Sequence, residues 1–190
     1  MAKVRRSEKP RNASSPKASR PYMPGYGLPR GQQGLLPWSW AENRFRKSHN
    51  YWLVTTRPDG APHAMPVWGI WVDSVYYFST GRQSRKAKNL AGNPRCVVCN
   101  DAAHRAVIVE GIAEEVTDPS VIESLFAPYH AKYKPWKLDP KLGPIFAVRP
   151  SVAFGIDEAK SLGSATRWRF PSPRRQPRKR VVSGPRRSRR

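Results

Sequence analysis

The sequence predicts one small, mainly β domain, an antiparallel barrel with two or three short helices, and a basic tail at each end. Two observations predict this fold class. Short runs rich in β-branched and aromatic residues follow one another with turn sequences between them, which is typical of hairpins. In addition, much of the formal charge of +22 lies near the two ends of the 190-residue chain. Six or seven strands in hairpin order favour a closed or partly open barrel.

Charge divides the chain into three parts. Residues 1–33 carry eight Lys and Arg against one acid, and residues 171–190 carry nine against none. We expect both tails to be mostly disordered, because they bury too little apolar surface to offset the entropy of ordering. Within the first tail, the tyrosines of residues 20–30 favour an ordered strap along the barrel. Residues 34–170 are the predicted domain.

Three helices are predicted over residues 40–48, 84–91 and 119–131. Ser39 and Glu42 form the capping-box pattern that begins the first helix. Gly92, followed by a proline two residues later, is expected to close the second. Asp118 is the predicted cap of the third, with a proline at its first position.

Seven strands are predicted, over residues 50–56, 61–72, 75–80, 95–100, 106–113, 145–156 and 164–170. Arg57-Pro-Asp-Gly60 and Asp73-Ser74 supply the turns that would place the first three strands side by side. Pro62 and Pro66 cannot donate to a ladder and therefore indicate an edge or a bulge in the second strand. Gly111 is a candidate bulge.

The sequence predicts a cytoplasmic protein without a metal site. No apolar run of about seven residues, as a secretory signal requires, precedes Leu35, and no stretch is long enough to span a bilayer. Cys96 and Cys99 fall in one strand, where residues three apart point to opposite faces, so we expect neither a redox pair nor a shared metal site. The four histidines show no metal-ligand spacing.

A strand that leads into a helix through a glycine-containing loop is the first candidate site. Ser79 and Thr80 end the strand, and Ser84, Arg85 and Lys86 begin the helix. The first-turn amides and the positive dipole end of a helix attract anions, and hydroxyls and cations strengthen such a site. From charge alone, a solvated basic helix start remains the alternative.

Two further segments could contact a ring system. The strand from His63 to Trp68 is apolar on both faces, which suits a flat aromatic ligand as well as an ordinary core. Near the end of the domain, Trp168 lies between Arg167 and Arg169, where an indole could stack on a ring while a guanidinium meets an anion.

Together, these three segments resemble the pyridoxamine 5′-phosphate oxidase-like split-barrel family, which binds flavin mononucleotide (FMN) or a deazaflavin. The resemblance covers roughly residues 36–170, and the run Ser79–Pro94 is its most specific part. It implies that Thr80, Arg85 and Lys86 hold the cofactor phosphate, with Ser79 and Ser84 in support. The residues implied to line the ring are His63, Ala64, Met65, Pro66, Val67 and Trp68.

Within this family, the sequence is most similar to the actinobacterial branch that uses the deazaflavin coenzyme F420. The similar segments are 23–27, 66–68 and 167–170. The resemblance implies an F420-dependent reductase that transfers a hydride to a small conjugated or heteroaromatic substrate. An FMN-dependent pyridoxamine 5′-phosphate oxidase-like oxidoreductase and a non-catalytic flavin- or haem-binding protein remain alternatives, because both cofactors present a phosphate and a tricyclic ring. No catalytic residue is predicted.

Two kinds of macromolecular partner are considered. We expect a homodimer, because family members complete their cofactor site with residues from both subunits and the Trp-rich barrel would otherwise expose apolar surface. The basic tails suit non-specific contact with nucleic acid, although the domain lacks a nucleic-acid-binding motif. Solvated extensions without a role are the alternative for the tails.

Overall fold

The structure, a computed structural model, describes residues 15–171 of the chain. It contains nine strands, which are β1 Lys17–Ser19, β2 Tyr51–Thr56, β3 Pro62–Val67, β4 Gly69–Val72, β5 Val75–Ser79, β6 Arg95–Asn100, β7 Arg105–Glu115, β8 Ile145–Asp157 and β9 Thr166–Arg169. The helices are α1 Trp38–Lys47, α2 Arg85–Gly92 and α3 Pro119–Tyr133. Residues 1–14 and 172–190, where disorder was predicted, lie outside the described residues.

All strand pairs are antiparallel, and the order is β1-β9-β8-β7-β6-β2-β3. The thirteen-residue β8 also pairs with β5, which in turn pairs with β4. The sheet is not closed, so the predicted antiparallel split barrel with short helices is confirmed. Strand β3 has a single neighbour, as its two prolines indicated.

The predicted turns form where their chemistry required them. Asp73 and Ser74 both have positive φ, of 49° and 62°, as a two-residue hairpin of the I′ type requires. The register of β7 on β8 shifts between Glu110 and Gly111, which confirms the bulge. A Cβ at Gly111 would lie 2.5 Å from the carbonyl oxygen of Arg149, so only glycine fits this close approach.

The predicted row of three strands is wrong in one respect. The run from residue 61 to residue 72 divides at Trp68 into β3, which pairs with β2, and β4, which pairs with β5. The chain therefore crosses from one part of the barrel to the other at this break.

Two helix ends differ from the sequence-based prediction. Helix α1 begins after Pro37, and no side chain caps it. Glu42 instead accepts a hydrogen bond from Trp71 Nε1 at 3.0 Å, so the predicted capping box does not form. Gly92 lies inside α2, and the helix ends at Asn93 with φ −141°. The following Pro94 favours an extended residue before it, which ends the helix without a left-handed glycine.

The first tail contributes a strand that the sequence did not predict. Strand β1 pairs with β9, and the Arg20 guanidinium that follows it donates to the carbonyl oxygens of Gly163 at 2.6 Å and Ala165 at 3.1 Å. Tyr22 and Tyr26 are 88% and 60% exposed, so these tyrosines do not pack on the barrel. Order in this segment comes from backbone pairing and Arg20.

The core is aromatic. Tyr51 packs against Phe45 and Tyr76, with ring centroids 5.0 and 4.7 Å apart, and all three side chains are fully buried. Both cysteines are free thiols. Burial raises the pKa of Cys96 to about 12 and also raises that of Cys99.

Two kinds of feature are absent from residues 15–171. In that range, no helix is long and apolar enough to cross a membrane. No group of three or more His, Cys, Asp or Glu side chains is arranged there to hold a metal ion.

Candidate cofactor site

The loop between β5 and α2 brings the predicted phosphate residues together. Ser84 caps α2 by accepting the Ala87 N–H at 3.3 Å, and its Oγ lies 3.1 Å from Thr80 Oγ1. Arg85 and Lys86 occupy the first turn, where helix N–H groups have no acceptor within the helix. Neither cation forms an ion pair with another described residue. Two hydroxyls and two uncompensated cations therefore surround a helix N-terminus.

The segment before β8 fixes this loop. The Thr80 N–H donates to the Pro144 carbonyl oxygen at 3.2 Å. A Cβ at Gly143 would lie 2.2 Å from the Thr80 carbonyl oxygen, so the backbone of Gly143 approaches the loop as closely as glycine allows. Ser79, the last residue of β5, pairs with Ile145, the first residue of β8. The position of Thr80 is therefore set by sheet pairing.

Arg82 lies in the loop between β5 and α2, and an acidic side chain pairs with its charge. Its guanidinium forms two hydrogen bonds to the Glu115 carboxylate, at 2.6 and 3.2 Å. This pair raises the pKa of Arg82 and lowers that of Glu115. Because Glu115 compensates the charge of Arg82, Arg82 is not a free cation beside the loop.

The predicted ring-lining strand is linked to α2 through one polar chain. Asn89, buried on α2, donates from Nδ2 to Thr55 Oγ1 at 2.9 Å. Thr55 is paired in register with His63 on β3 and donates to its carbonyl oxygen at 3.4 Å. Two of the three predicted segments are thus neighbours in one subunit. The exposed β3 residues are Pro62, Ala64, Met65 and Pro66, while Val67 is buried.

Two polar atoms at this junction have no partner among the described residues. They are His63 Nδ1 and Asn89 Oδ1, both buried. Buried polar atoms are normally hydrogen-bonded, and unsatisfied ones often mark a functional position. Together with the hydroxyls and cations at α2, they form a set of hydrogen-bond donors and acceptors that fits a ligand bearing a phosphate and a polar ring system.

Trp68 is held rigidly at the break between β3 and β4. Its ring stacks on Tyr133 with centroids 4.8 Å apart and planes 8° apart, and its Nε1 donates to Asn50 Oδ1 at 3.1 Å. The side chain is 37% exposed. One face of this indole is therefore covered by Tyr133, while part of the ring remains accessible.

The third predicted segment is divided by the alternation of β9. Trp168 is fully buried, with its ring centroid 5.5 Å from that of Trp38, so in this subunit the indole offers no exposed face for the predicted stacking on a ligand. Arg167 points to the other face, where its Nε donates to Ser19 Oγ at 3.1 Å. Arg167 pairs with Phe154 of β8, whereas Ser79 of the phosphate loop pairs with Ile145 at the start of β8. The two residues therefore lie far apart in one subunit.

Two cavities within residues 15–171 lie near the predicted cofactor residues without enclosing them. One of about 270 Å³ lies on the sheet face beside Val54, Val97 and Gly111. Another of about 470 Å³ lies between Arg82 and Lys141. Arg85 and residues 64–66 are exposed, so the candidate site is an open surface in one subunit.

Sequence reasoning missed Asn89 and Thr55, which join the phosphate loop to β3. A signal existed for Asn89, because it lies among Ala87 and Leu90 on the apolar face of the predicted helix. Thr55 carried no such signal, since threonine is common in strands.

Comparison with known proteins extends these observations. The model of the family described as Pyridoxamine 5'-phosphate oxidase matches residues 41–161. No curated protein sequence matches at a significant level. Among solved structures, an F420 reductase is 26% identical, with a TM-score of 0.49, 59% of this chain covered and 94% of that one.

Two more solved structures share the fold. A conserved hypothetical protein from Mycobacterium tuberculosis is 22% identical, with a TM-score of 0.57, and the match covers 66% of this chain and 87% of that one. A heme binding protein from Mycobacterium smegmatis is 15% identical, with a TM-score of 0.55, 63% of this chain covered and 53% of that one. From the family match and the split barrel, this chain belongs to the pyridoxamine 5′-phosphate oxidase-like family.

Proposed function

We propose that this protein is a cytoplasmic, homodimeric reductase that uses the deazaflavin coenzyme F420 and acts on a small conjugated or heteroaromatic substrate. Members of this family bind FMN or F420, and they are commonly oxidoreductases. The observation that supports a phosphorylated cofactor here is the α2 N-terminus, where Arg85 and Lys86 lie beside Thr80 and Ser84 and have no acidic partner within residues 15–171. When bound, the cofactor supplies the hydride chemistry.

The chain's own residues have three tasks in this proposal. Thr80, Ser84, Arg85 and Lys86 bind the phosphate. The edge strand β3 supports the ring, with His63 Nδ1 as a nearby polar partner. A partner subunit excludes water from the open side, because the site is an open surface in one chain.

The outer face of the sheet supports dimerisation. One row of paired residues runs across it from β3 to β9, through Pro66, Trp52, Cys99, Ile108, Phe154 and Arg167. Trp52 is 49% exposed, and the next three are partly exposed, so the centre of the row is apolar. Such a surface usually marks an interface.

This row also explains how Arg167 belongs to the proposed site. Strands lie about 4.8 Å apart, so β3 and β9 are about 24 Å apart along the row. A twofold axis that passes through its centre, near Cys99 and Ile108, and runs parallel to the strands brings the β9 edge of one subunit to the β3 edge of the other. Arg167 then contacts the cofactor bound to the opposite subunit.

We predict that light scattering on the full chain gives twice the 21.6 kDa subunit mass. Trp52→Glu places a charge at the centre of the apolar row and is expected to yield monomers. Thr117→Glu, at an exposed position outside the row, is the matched control and leaves the dimer intact. A monomeric wild-type protein that binds cofactor would contradict the dimeric site.

A second prediction compares the affinity of the protein for F420 with its affinity for FMN. The F420 tail carries a phosphodiester and glutamates, so it benefits from cations beyond the phosphate, for which Lys88 and Arg169 are exposed. We expect titration of the cofactor-free protein, followed by tryptophan fluorescence, to give tighter binding of F420 than of FMN. The difference should shrink as salt is added, because charge complementarity of exposed groups is screened.

One outcome would replace the proposal with its alternative. A protein that purifies with bound FMN and ignores F420 would be an FMN-dependent oxidoreductase of the same family. Equal affinity at every salt concentration would remove Lys88 and Arg169 from the site.

A further inference from the structure

A lysine lies among aromatic rings directly beside the proposed ring site. Lys132 Nζ, on α3, donates to Tyr51 Oη at 2.6 Å and to the Gly69 carbonyl oxygen at 2.9 Å. It also lies 4.6 Å from the centre of the Tyr51 ring and 5.3 Å from that of Tyr133. Gly69 follows Trp68 in sequence, so the amine lies just past the end of β3.

The surroundings of Lys132 contain little compensating charge. No ion pair of this lysine is found within residues 15–171. Burial lowers its pKa to about 8, and the negative charge of Asp101 opposes this shift only partly. Two of the three N–H bonds of the ammonium are used, which leaves one donor for an external oxygen.

An aromatic surface adjoins this amine. Trp68 stacks on Tyr133, and Trp136, which is 61% exposed, lies 6.3 Å from Trp68. His49 meets the Trp68 ring edge-on at 5.9 Å. Monomeric proteins seldom expose two neighbouring indoles unless the patch binds something.

We propose that Lys132, Trp68 and Trp136 form the acceptor subsite, which binds planar conjugated compounds that carry an oxyanion or a polarised carbonyl oxygen. The indoles contact the ring, and the free N–H of Lys132 bonds to the oxygen. This inference rests on the proposed function for the identity of the neighbouring cofactor. The binding itself depends only on residues of this chain.

The other titratable groups around the amine do not titrate as Lys132 does. They are His49, Tyr51, Asp101, Tyr129 and Tyr133. The pKa values of Tyr51 and Tyr129 are raised by burial, and that of Tyr133 is raised to about 12. These phenols stay neutral while Lys132 loses its proton. A change in ligand affinity near pH 8 therefore reports the protonation of this lysine.

The test uses lawsone, a hydroxynaphthoquinone that is planar and carries an enolate oxygen at neutral pH. Its binding to the cofactor-free protein is measured by quenching of tryptophan fluorescence. Lys132→Gln is expected to raise Kd about tenfold, the effect of losing a hydrogen bond to a charged group. Lys137→Gln, an exposed lysine on the same segment, is the control and leaves Kd unchanged.

A second measurement needs no variant. The affinity of the wild-type protein for lawsone should fall as pH rises from about 7 to about 9.5, because the ammonium is lost in this range. Equal affinity of wild type and Lys132→Gln, or a flat profile across pH 8, would overturn the proposal. Neither result depends on whether F420 or FMN binds. The assignment of the cofactor phosphate is tested separately through α2.

Discussion

Trp168→Ala is expected to lower the free energy of unfolding by about 3–5 kcal/mol, the range for removing a large buried aromatic side chain. The indole is fully buried, contacts Trp38, and fills space left by Gly155, where a Cβ would lie 2.6 Å from the Trp168 ring. Removal of the indole leaves a cavity between these neighbours. The strands cannot close it, because β9 is held by β1 and β8. Urea denaturation at one fixed protein concentration measures the loss.

Arg169→Ala is the matched control for this experiment. It removes an exposed side chain one residue further along β9, and the expected change is within about 0.5 kcal/mol. A Trp168→Ala protein of unchanged stability but weakened cofactor affinity would contradict the core assignment. That result would restore the role that the sequence suggested, stacking on a ligand.

The elements that could be predicted from sequence are those fixed by neighbouring residues. Asp73 and Ser74 specify a tight hairpin because short polar residues tolerate positive φ. Asp118 caps α3 by accepting the Ser120 N–H at 2.9 Å, as its place before a proline indicated. The phosphate loop belongs to this class, since its hydroxyls and cations lie within one strand–loop–helix unit.

The features that could not be predicted from the sequence depend on contacts between segments that are far apart along the chain. Alternation along β9 separates Trp168 from Arg167, but which of them is buried is decided by Trp38 on α1. Strand β1 forms only because β9 offers a free edge. The environment of Lys132 combines α3, β2 and the β3–β4 break, and no local pattern predicts that meeting.

The phosphate loop gives the other large expected effect. Arg85→Ala and Lys86→Ala are each expected to weaken cofactor binding by about 1.5–3 kcal/mol, the range for a hydrogen bond to a charged group. This corresponds to roughly one to two orders of magnitude in Kd. The effect should be large because neither cation has an acidic partner among the described residues, so each is free to bond to phosphate.

Titration of each purified variant with F420 and with FMN measures this effect, with Lys160→Ala as the control. Lys160 is exposed in the turn after β8 and lies outside the site, so its removal tests the protein's overall positive charge. If all three variants lose the same affinity, general electrostatics hold the cofactor and the α2 N-terminus is not the phosphate site. If Arg85 and Lys86 alone matter, the effect should be similar for both cofactors, because the phosphate is the part they share. Circular dichroism checks that α2 remains folded, which is expected since Ser84 still caps the helix.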